Sequence, residues 1–429
     1  MSFQQGLSGL NATSKSLEVI GNNVANANTY GAKSARAEFS DFYAAALNGA
    51  GGTTSGIGTQ LTTIAQQFTQ GSITATENPM DLAINGKGFF QVSDGRSPSS
   101  YTRNGQFKVD RQGYIVNNAG YKLMGYAADA TGQVQPGIAV PLQLPTAGIE
   151  PRTTTAIEME FNLDANDAVT FDSTATPAID FDDADTYNDV TSLTVFDAKG
   201  MPIPLTFYFQ RVSAFSTADG TTNSWNIYVT ANGVPLAGAP DAPAPSLTID
   251  FPEDGKPSTS LPDPLTLDIP ETANEAGATA LAITGIELDL STVTQFASPF
   301  GVTNIQQDGY TAGQLVSIAA ESNGIVTARY SNGQTKPAGQ IEIANFRNMQ
   351  GLQPIGNNMW VKTYASGDPV VGVPGEGNLG VLQSGALEES NVDLTAELVN
   401  MITAQRTYQA NAQTIKTMDQ VLQTLVNLR

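Results

Sequence analysis

"DLTAELVNMITAQRTYQANAQTIKTMDQVLQTLVNLR", residues Asp393–Arg429, carries one pattern from end to end. Leu394, Leu398, Met401, Gln405, Tyr408, Ala412, Ile415, Asp419, Leu422 and Val426 recur at alternating steps of four and three. That spacing keeps one stripe on one helical face and predicts a long helix with a coiled-coil seam. Ile402, Met418 and Leu425 widen the stripe. Asn391 or Asp393 stands where a capping side chain is needed, and Glu397 falls in the first turns.

The other end of the chain repeats the pattern. Phe3, Leu7, Leu10, Ser14, Leu17, Gly21 and Val24 form a heptad stripe, with Ile20 beside it. Only Lys15 and Glu18 are charged through Ala32, so the opposite face is polar without being charged. A pair of amphipathic helices lying on a globular core would carry Lys and Glu on that face. An uncharged face suits a helix packed among many neighbours, and two stripes at the two termini predict a helix pair used for polymerisation. "GNNVANANTYGAK" (Gly21–Lys33) then reads as a joint. Gly21 offers a small residue for close helix approach. Asn26 and Asn28 compete for backbone hydrogen bonds and weaken the helix. Gly31 is suited to a left-handed conformation after the stop. The helix is expected to end between Ala25 and Tyr30, with positive φ at Gly31.

Between the helices the text changes to period two. Ser34–Gln70 reads as irregular. "LAINGKGFFQVSD" reads as strand, glycine turn, strand, and "YTRNGQFKVDRQGYIVNNAGYKLMGY" as an antiparallel meander with turns at Asn104-Gly105, Gln112-Gly113 and Ala119-Gly120. Gly86-Lys87-Gly88 lacks the full spacing of a phosphate loop and no helix follows it, so a hairpin turn is expected there. Beyond Gly301, Asn323-Gly324 and Asn332-Gly333 mark further hairpins. The reading is a mainly β fold with α-helical coiled-coil termini and nested, discontinuous domains. A terminal helical domain (1–30 and 387–429) precedes an irregular linker (31–70), a middle β domain (71–146 and 301–386) and an outer acidic β domain (147–300). Both β domains are expected to be barrel- or sandwich-like.

Charge is concentrated in the insert: Glu150–Gly285 holds 21 Asp+Glu against 4 Lys+Arg, within a net charge of −21. Such an acidic chain repels nucleic acid and anionic membrane, so neither is expected as a partner. "DFDDADTYND" (Asp180–Asp189) invites a calcium reading, but its spacing and lack of a placed Gly favour a solvated acidic loop. The absence of Cys and His removes thiol chemistry, disulfides, and the commonest general base and metal ligand. No catalytic, cofactor-binding or metal-ligating set is expected. No apolar run approaches the roughly 18 residues that span a bilayer. The N-terminus has neither a basic region nor an apolar core of the cleaved-leader kind.

These segments resemble the bacterial flagellar rod/hook axial-protein family. "SGLNATSKSLEVIGNNVANANTYGAK" is similar to its N-terminal signature, and "SGALEESNVDLTAELVNMITAQRTYQANAQTIKTMDQVLQTLVNLR" to its C-terminal one. "LAINGKGFF", "YTRNGQF", "GYIVNNAGYKLMGY" and "FRNMQGLQPIGNNMW" resemble its β-domain motifs, while "FNLDAN" and "TYNDVTSLTVFDAKG" resemble its hook branch. The resemblance implies a self-assembling structural subunit of a hollow helical tube. It implies partners in the rod, cap and hook–filament junction, and export without a cleaved leader through the flagellar type III apparatus to the cell exterior. A distal-rod or junction subunit is the nearest alternative. A secreted β-rich adhesin would need exposed aromatics such as Trp225 or Trp360 along a groove. An enzyme would need two carboxylates and a proton donor in a pocket.

Overall fold

The structure, a computed structural model, describes residues 2–42, 58–129, 132–135, 137–145, 147–172, 177–214, 223–257, 265–274 and 277–427. Two compact units divide the chain. The first comprises Met1–Thr146, Val316–Arg329 and Thr335–Arg429; the second comprises Ala147–Leu315 and Tyr330–Gln334.

The first unit holds both helices, α1 (Ser2–Ala25) and α2 (Leu394–Asn427). At 1.5 Å per residue they are about 36 and 51 Å long. Asp393 caps α2: its Oδ1 accepts from the backbone N–H groups of Thr395 (2.9 Å) and Ala396 (3.1 Å). The expected irregular linker instead contains an antiparallel hairpin, β1 (Ala35–Phe42) with β2 (Gly58–Gln66), whose tip falls outside the described residues. None of the described residues in β2 is fully buried, so the period-two apolar signal that marks a strand is absent from it.

The rest of the first unit is β. Its main sheet runs in the order Leu315–Ala320, Ile325–Tyr330, Thr335–Ile341, Lys122–Ala127, Phe89–Ser93, Ser100–Thr102, Met359–Val361 and Gln353–Gly356. The two outer β segments of the sequence therefore lie in one sheet. Adjacent Phe89 and Phe90 show the pleat at work. Phe90 joins Leu82, Ile115, Leu123 and Ile341 in one core, while Phe89 joins Tyr101, Phe346 and Trp360 in another. The turns at Gln112-Gly113 and Ala119-Gly120 connect paired strands. Gly86-Lys87-Gly88 does not. Leu82–Asn85 pairs with Val381–Ser384, and Phe89–Ser93 pairs with Ser100–Thr102, Lys122–Ala127 and Ile343–Asn345. The glycines carry the chain from one ladder to another, with φ of 115° at Gly86 and 132° at Gly88. Asn104-Gly105 likewise joins strands that pair elsewhere.

The second unit is built from two five-stranded sheets. One centres on Ala156–Asp164, which pairs in parallel with Ile283–Asp289 and Thr294–Phe296 and antiparallel with Gly301–Gln307. That last strand moves the unit's boundary from the expected 300 to Leu315. The other sheet centres on Pro202–Ser213 and Asn223–Ala231. Alternate residues Ile157, Met159, Phe161 and Leu163 face Ile203, Leu205, Phe207 and Phe209 in one apolar core. The loop Asp180–Asp189 covers the far face of the second sheet. Phe181 and Tyr187 lie against Tyr208, at 4.7 and 5.0 Å between ring centroids. Gln210 Nε2 ties the loop down through Ala178 O (3.0 Å) and Thr186 O (2.7 Å).

Candidate assembly surface and its anchoring node

The face of α2 turned to α1 is set by two small residues of α1. A Cβ on Gly6 would stand 3.1 Å from Ile415 Cγ1, and one on Gly9 would stand 2.9 Å from Asn411 Nδ2. Close helix approach therefore occurs at Gly6 and Gly9. It does not occur at Gly21, where a Cβ would meet nothing within 4 Å, and that expectation is corrected. Asn23, buried in α1, completes the seam from the other end. Its Nδ2 donates to Glu397 Oε1 (3.0 Å) and Ala35 O (2.8 Å), and its Oδ1 accepts from Ala35 N (2.9 Å). An asparagine one residue off an apolar stripe was the available signal for this role.

These contacts shift the seam relative to the heptad reading. On α2 the less exposed positions include Glu397, Met401, Ala404, Asn411, Ile415 and Met418. Met401, Ile415 and Met418 were expected there, as was Ala412, which is likewise half-buried. Leu394, Leu398, Tyr408 and Leu422 are exposed instead, as are Val399, Ile402 and Val421. On α1, Leu10, Leu17, Ile20 and Val24 are half-buried and Leu7 is exposed. The side chains of Phe3 and Val426 lie outside the described residues. α2 carries only Glu397, Arg406, Lys416 and Asp419 as charges. Its open face is thus apolar and threonine-rich, with Thr403, Thr407, Thr414 and Thr424 each bonding the carbonyl four residues back.

The joint after α1 is a series of turns. α1 ends at Ala25, and Asn26 donates from Nδ2 to Asn22 O (2.9 Å), while Asn28 is exposed. Gly31 has φ of 70°, but it lies too far beyond the helix to be its left-handed cap. Its conformation serves a close crossing: a Cβ there would stand 2.4 Å from Asn104 N. Asn358 Nδ2 donates to Tyr30 O (3.0 Å), so both neighbours of the crossing belong to the β part.

Beside Gly31 lies a cluster that sequence reading missed. Glu388, wholly buried, accepts from Lys33 Nζ (2.5 Å) on Oε1 and from Arg103 Nη1 (3.0 Å) on Oε2. Oε1 also accepts from Gly71 N (3.0 Å), and Glu388 O accepts from Gly31 N (2.8 Å). Lys33 donates again to Thr69 O (2.7 Å), and Arg103 Nη2 to Gly86 O (2.7 Å). Asn391 bonds Ser34 N (2.7 Å), Gln67 O (2.7 Å) and Thr69 Oγ1 (2.7 Å). Burial pulls the Lys33 ammonium below its ordinary pKa, although Glu388 opposes the shift. Arg103 is lowered from the same cause against the same opposition.

The features demanded by the rival readings are placed elsewhere. Trp225 and Trp360 are 0% and 2% exposed, so neither lines a groove. A cavity of about 710 Å³ lies between α1, the hairpin and residues 350–354. Its carboxylates Glu18 and Glu38 are each paired with a neighbouring cation, Lys15 and Arg36. Among the described residues, no group of three or more Asp or Glu is placed to hold a metal ion. No described helix is long and apolar enough to cross a membrane.

Four family models match along the chain. "Flagella basal body rod protein" covers residues 3–33, and "Flagellar hook protein FlgE/F/G D1 domain" covers 83–160. "Flagellar basal body protein FlaE D2 domain" covers 162–310, and "Flagellar basal body rod FlgEFG protein C-terminal" covers 383–428. The flagellar hook protein FlgE of Salmonella typhimurium is 41% identical over the full length of both chains. That of Rhizobium meliloti is 32% identical over all of this chain and 98% of its own. The chain belongs to the flagellar hook protein family. It is a structural subunit of the bacterial flagellar hook, and its place is the flagellum. The Helicobacter pylori hook protein FlgE2 shares the fold, with a TM-score of 0.52 over 74% of this chain and 99% of its own, at 16% identity. The rod and C-terminal models cover the two helices, and between them they contain Lys33 and Glu388 of the buried cluster.

Proposed function

We propose that this hook subunit polymerises through its helix pair into a hollow, bendable tube that transmits torque from rod to filament and serves as the export channel. The observation that carries this reading is the open face of α2. Leu394, Leu398, Val399 and Ile402 are exposed within about two and a half turns of a helix with four charges, and an apolar patch of that kind is a site for a partner. The partner is another copy, because both helices leave apolar residues open while already paired with each other. A contact between different faces that does not close into a ring generates a helical polymer. Bending requires neighbouring copies to slide, which favours polar, weakly bonded contacts between their β parts over apolar ones. Rod, cap and junction proteins are the proposed end contacts, with export through the type III apparatus without a cleaved leader.

Electron microscopy of purified protein under polymerising conditions tests this, beside a chain carrying Leu398→Asp and Ile402→Asp. The parent should form tubes, and the variant should remain soluble with unchanged circular dichroism and melting. Identical tubes from the variant would refute the proposal.

A further inference from the structure

Two stretches of chain, residues 67–72 and 389–393, join the hairpin and α2 to the β part of the first unit, and a third, residues 26–34, joins α1 to the hairpin. All three meet at the buried cluster. Gly31 and Lys33 come from the first, Thr69 and Gly71 from the second, and Asn391 lies in the third with Glu388 immediately before it. Arg103 reaches the same carboxylate from the β part, where it is also fixed by Ile84 O (3.3 Å) and Gly86 O (2.7 Å).

Stability alone does not account for this chemistry. Two cations and one carboxylate are removed from water, with side chains 1%, 6% and 0% exposed for Lys33, Arg103 and Glu388. Desolvation of buried ions offsets their attraction, and apolar side chains of similar volume are often as stabilising or more so. Charge-assisted hydrogen bonds differ from apolar contacts in being short and directional. A network with one donor or acceptor on every joining stretch fixes angles as well as proximity. We infer that Glu388 is a positioning residue for assembly, holding the helix pair in a set direction relative to the β part of its own unit. This rests on the polymerisation reading above, since direction matters only if the helices must meet those of other copies.

The chain lacks cysteine, so Lys15→Cys on α1 and Lys108→Cys in the β part, both exposed, give two unique spin-label sites. Pulsed electron resonance on the soluble chain should return one narrow distance peak. Glu388→Gln leaves two buried cations without their counter-charge, and the narrow peak should be lost well below the melting temperature. Lys33→Met with Glu388→Gln restores the original net charge of the cluster without restoring the network. It should recover melting temperature towards the parent while the distances stay broad. That split separates positioning from charge burial. A broad distribution in the parent, a narrow one in Glu388→Gln, or a narrow one in the double variant would each overturn the inference. Failure of the parent to form tubes would count against polymerisation and leave the distances unaffected.

Discussion

In the second unit, Phe161, Phe209 and Trp225 are held by apolar neighbours from two sheets, with 4.8 Å between the two phenylalanine rings. At the joint of the first, Lys33, Arg103 and Glu388 are held by one another and by backbone groups. Apolar contacts are non-directional, and their strength follows the area removed from water. A defect in the first setting therefore costs stability in proportion to volume. A defect in the second costs orientation. The two tryptophans make the contrast measurable, because Trp225 reports the second unit and Trp360 the first.

The largest effect is expected in the apolar core. Phe161→Ala should lower the unfolding free energy of the second unit by about 3–5 kcal/mol. Denaturant titration in a Trp360→Phe background, where Trp225 is the only indole, reads that transition. The companion Trp225→Phe background should show the first unit's transition unmoved. If both transitions shift together, the two units do not fold separately and the contrast collapses.

Gly31 tests the other side. Its φ of 70° and the 2.4 Å approach to Asn104 N leave no room for a side chain. Gly31→Val should cost more than about 1–2 kcal/mol, the left-handed penalty alone, because backbone must also move. The loss should appear in the Trp360 transition and leave Trp225 silent, and tube formation should fail at temperatures where the first unit is still folded. Normal tubes from the folded variant would show that the joint tolerates disorder.

How much of this was legible follows from the same division. The two helices were readable because a heptad repeat dictates its own period, and the strands from Leu82 to Tyr126 because glycine-marked turns separate short apolar runs. The seam row was not. Gly6, Gly9 and Asn411 select the face of α2, and a rule that counts apolar residues gives glycine and asparagine no weight. The hairpin of residues 35–66 escaped because β2 has no fully buried described residue to mark its period. The buried cluster was least accessible. Lys33 and Arg103 lie 355 and 285 residues from Glu388, and charged residues at such separations carry no local pattern.

A smaller effect is expected where charge does enter the second unit. Asp189 is half-buried and hydrogen-bonded to Asp167, with Asp164 and Arg211 facing the pair, and burial followed by Asp167 pushes its pKa up to about 6. The folded value lies above the ordinary 3.8, so the folded state holds the proton more tightly. The group's contribution is full below that ordinary value and is lost as pH rises through about 6. At neutral pH the second unit should therefore gain about 1 kcal/mol from Asp189→Asn, after allowance for solvent screening. The amide can still donate to Asp167. Trp225-monitored unfolding at pH 5 and 7.5 should show the gain mainly at the higher pH. Equal gains at both would assign it to packing instead of titration.

The smallest expected effect is none, and it concerns Asp180–Asp189. Four of its aspartates, Asp180, Asp182, Asp183 and Asp185, are exposed or nearly so, which is the composition that invites calcium. Their geometry is used otherwise. Asp180 Oδ1 accepts from Asp182 N (3.0 Å), and Asp183 Oδ1 accepts from Asp185 N (3.1 Å) to cap the short turn Ala184–Thr186. Phe181 points to Tyr208 and Tyr228, so the backbone follows the aromatic clamp and the carboxylates spread into solvent. A calcium site needs six to eight oxygens within about 2.6 Å of one point, which this arrangement does not converge. Millimolar calcium should leave the Trp225 transition where magnesium leaves it. A shift specific to calcium would mean that the loop can abandon Tyr208 to gather its carboxylates. The acidic face of the second unit would then be as directional as the joint of the first.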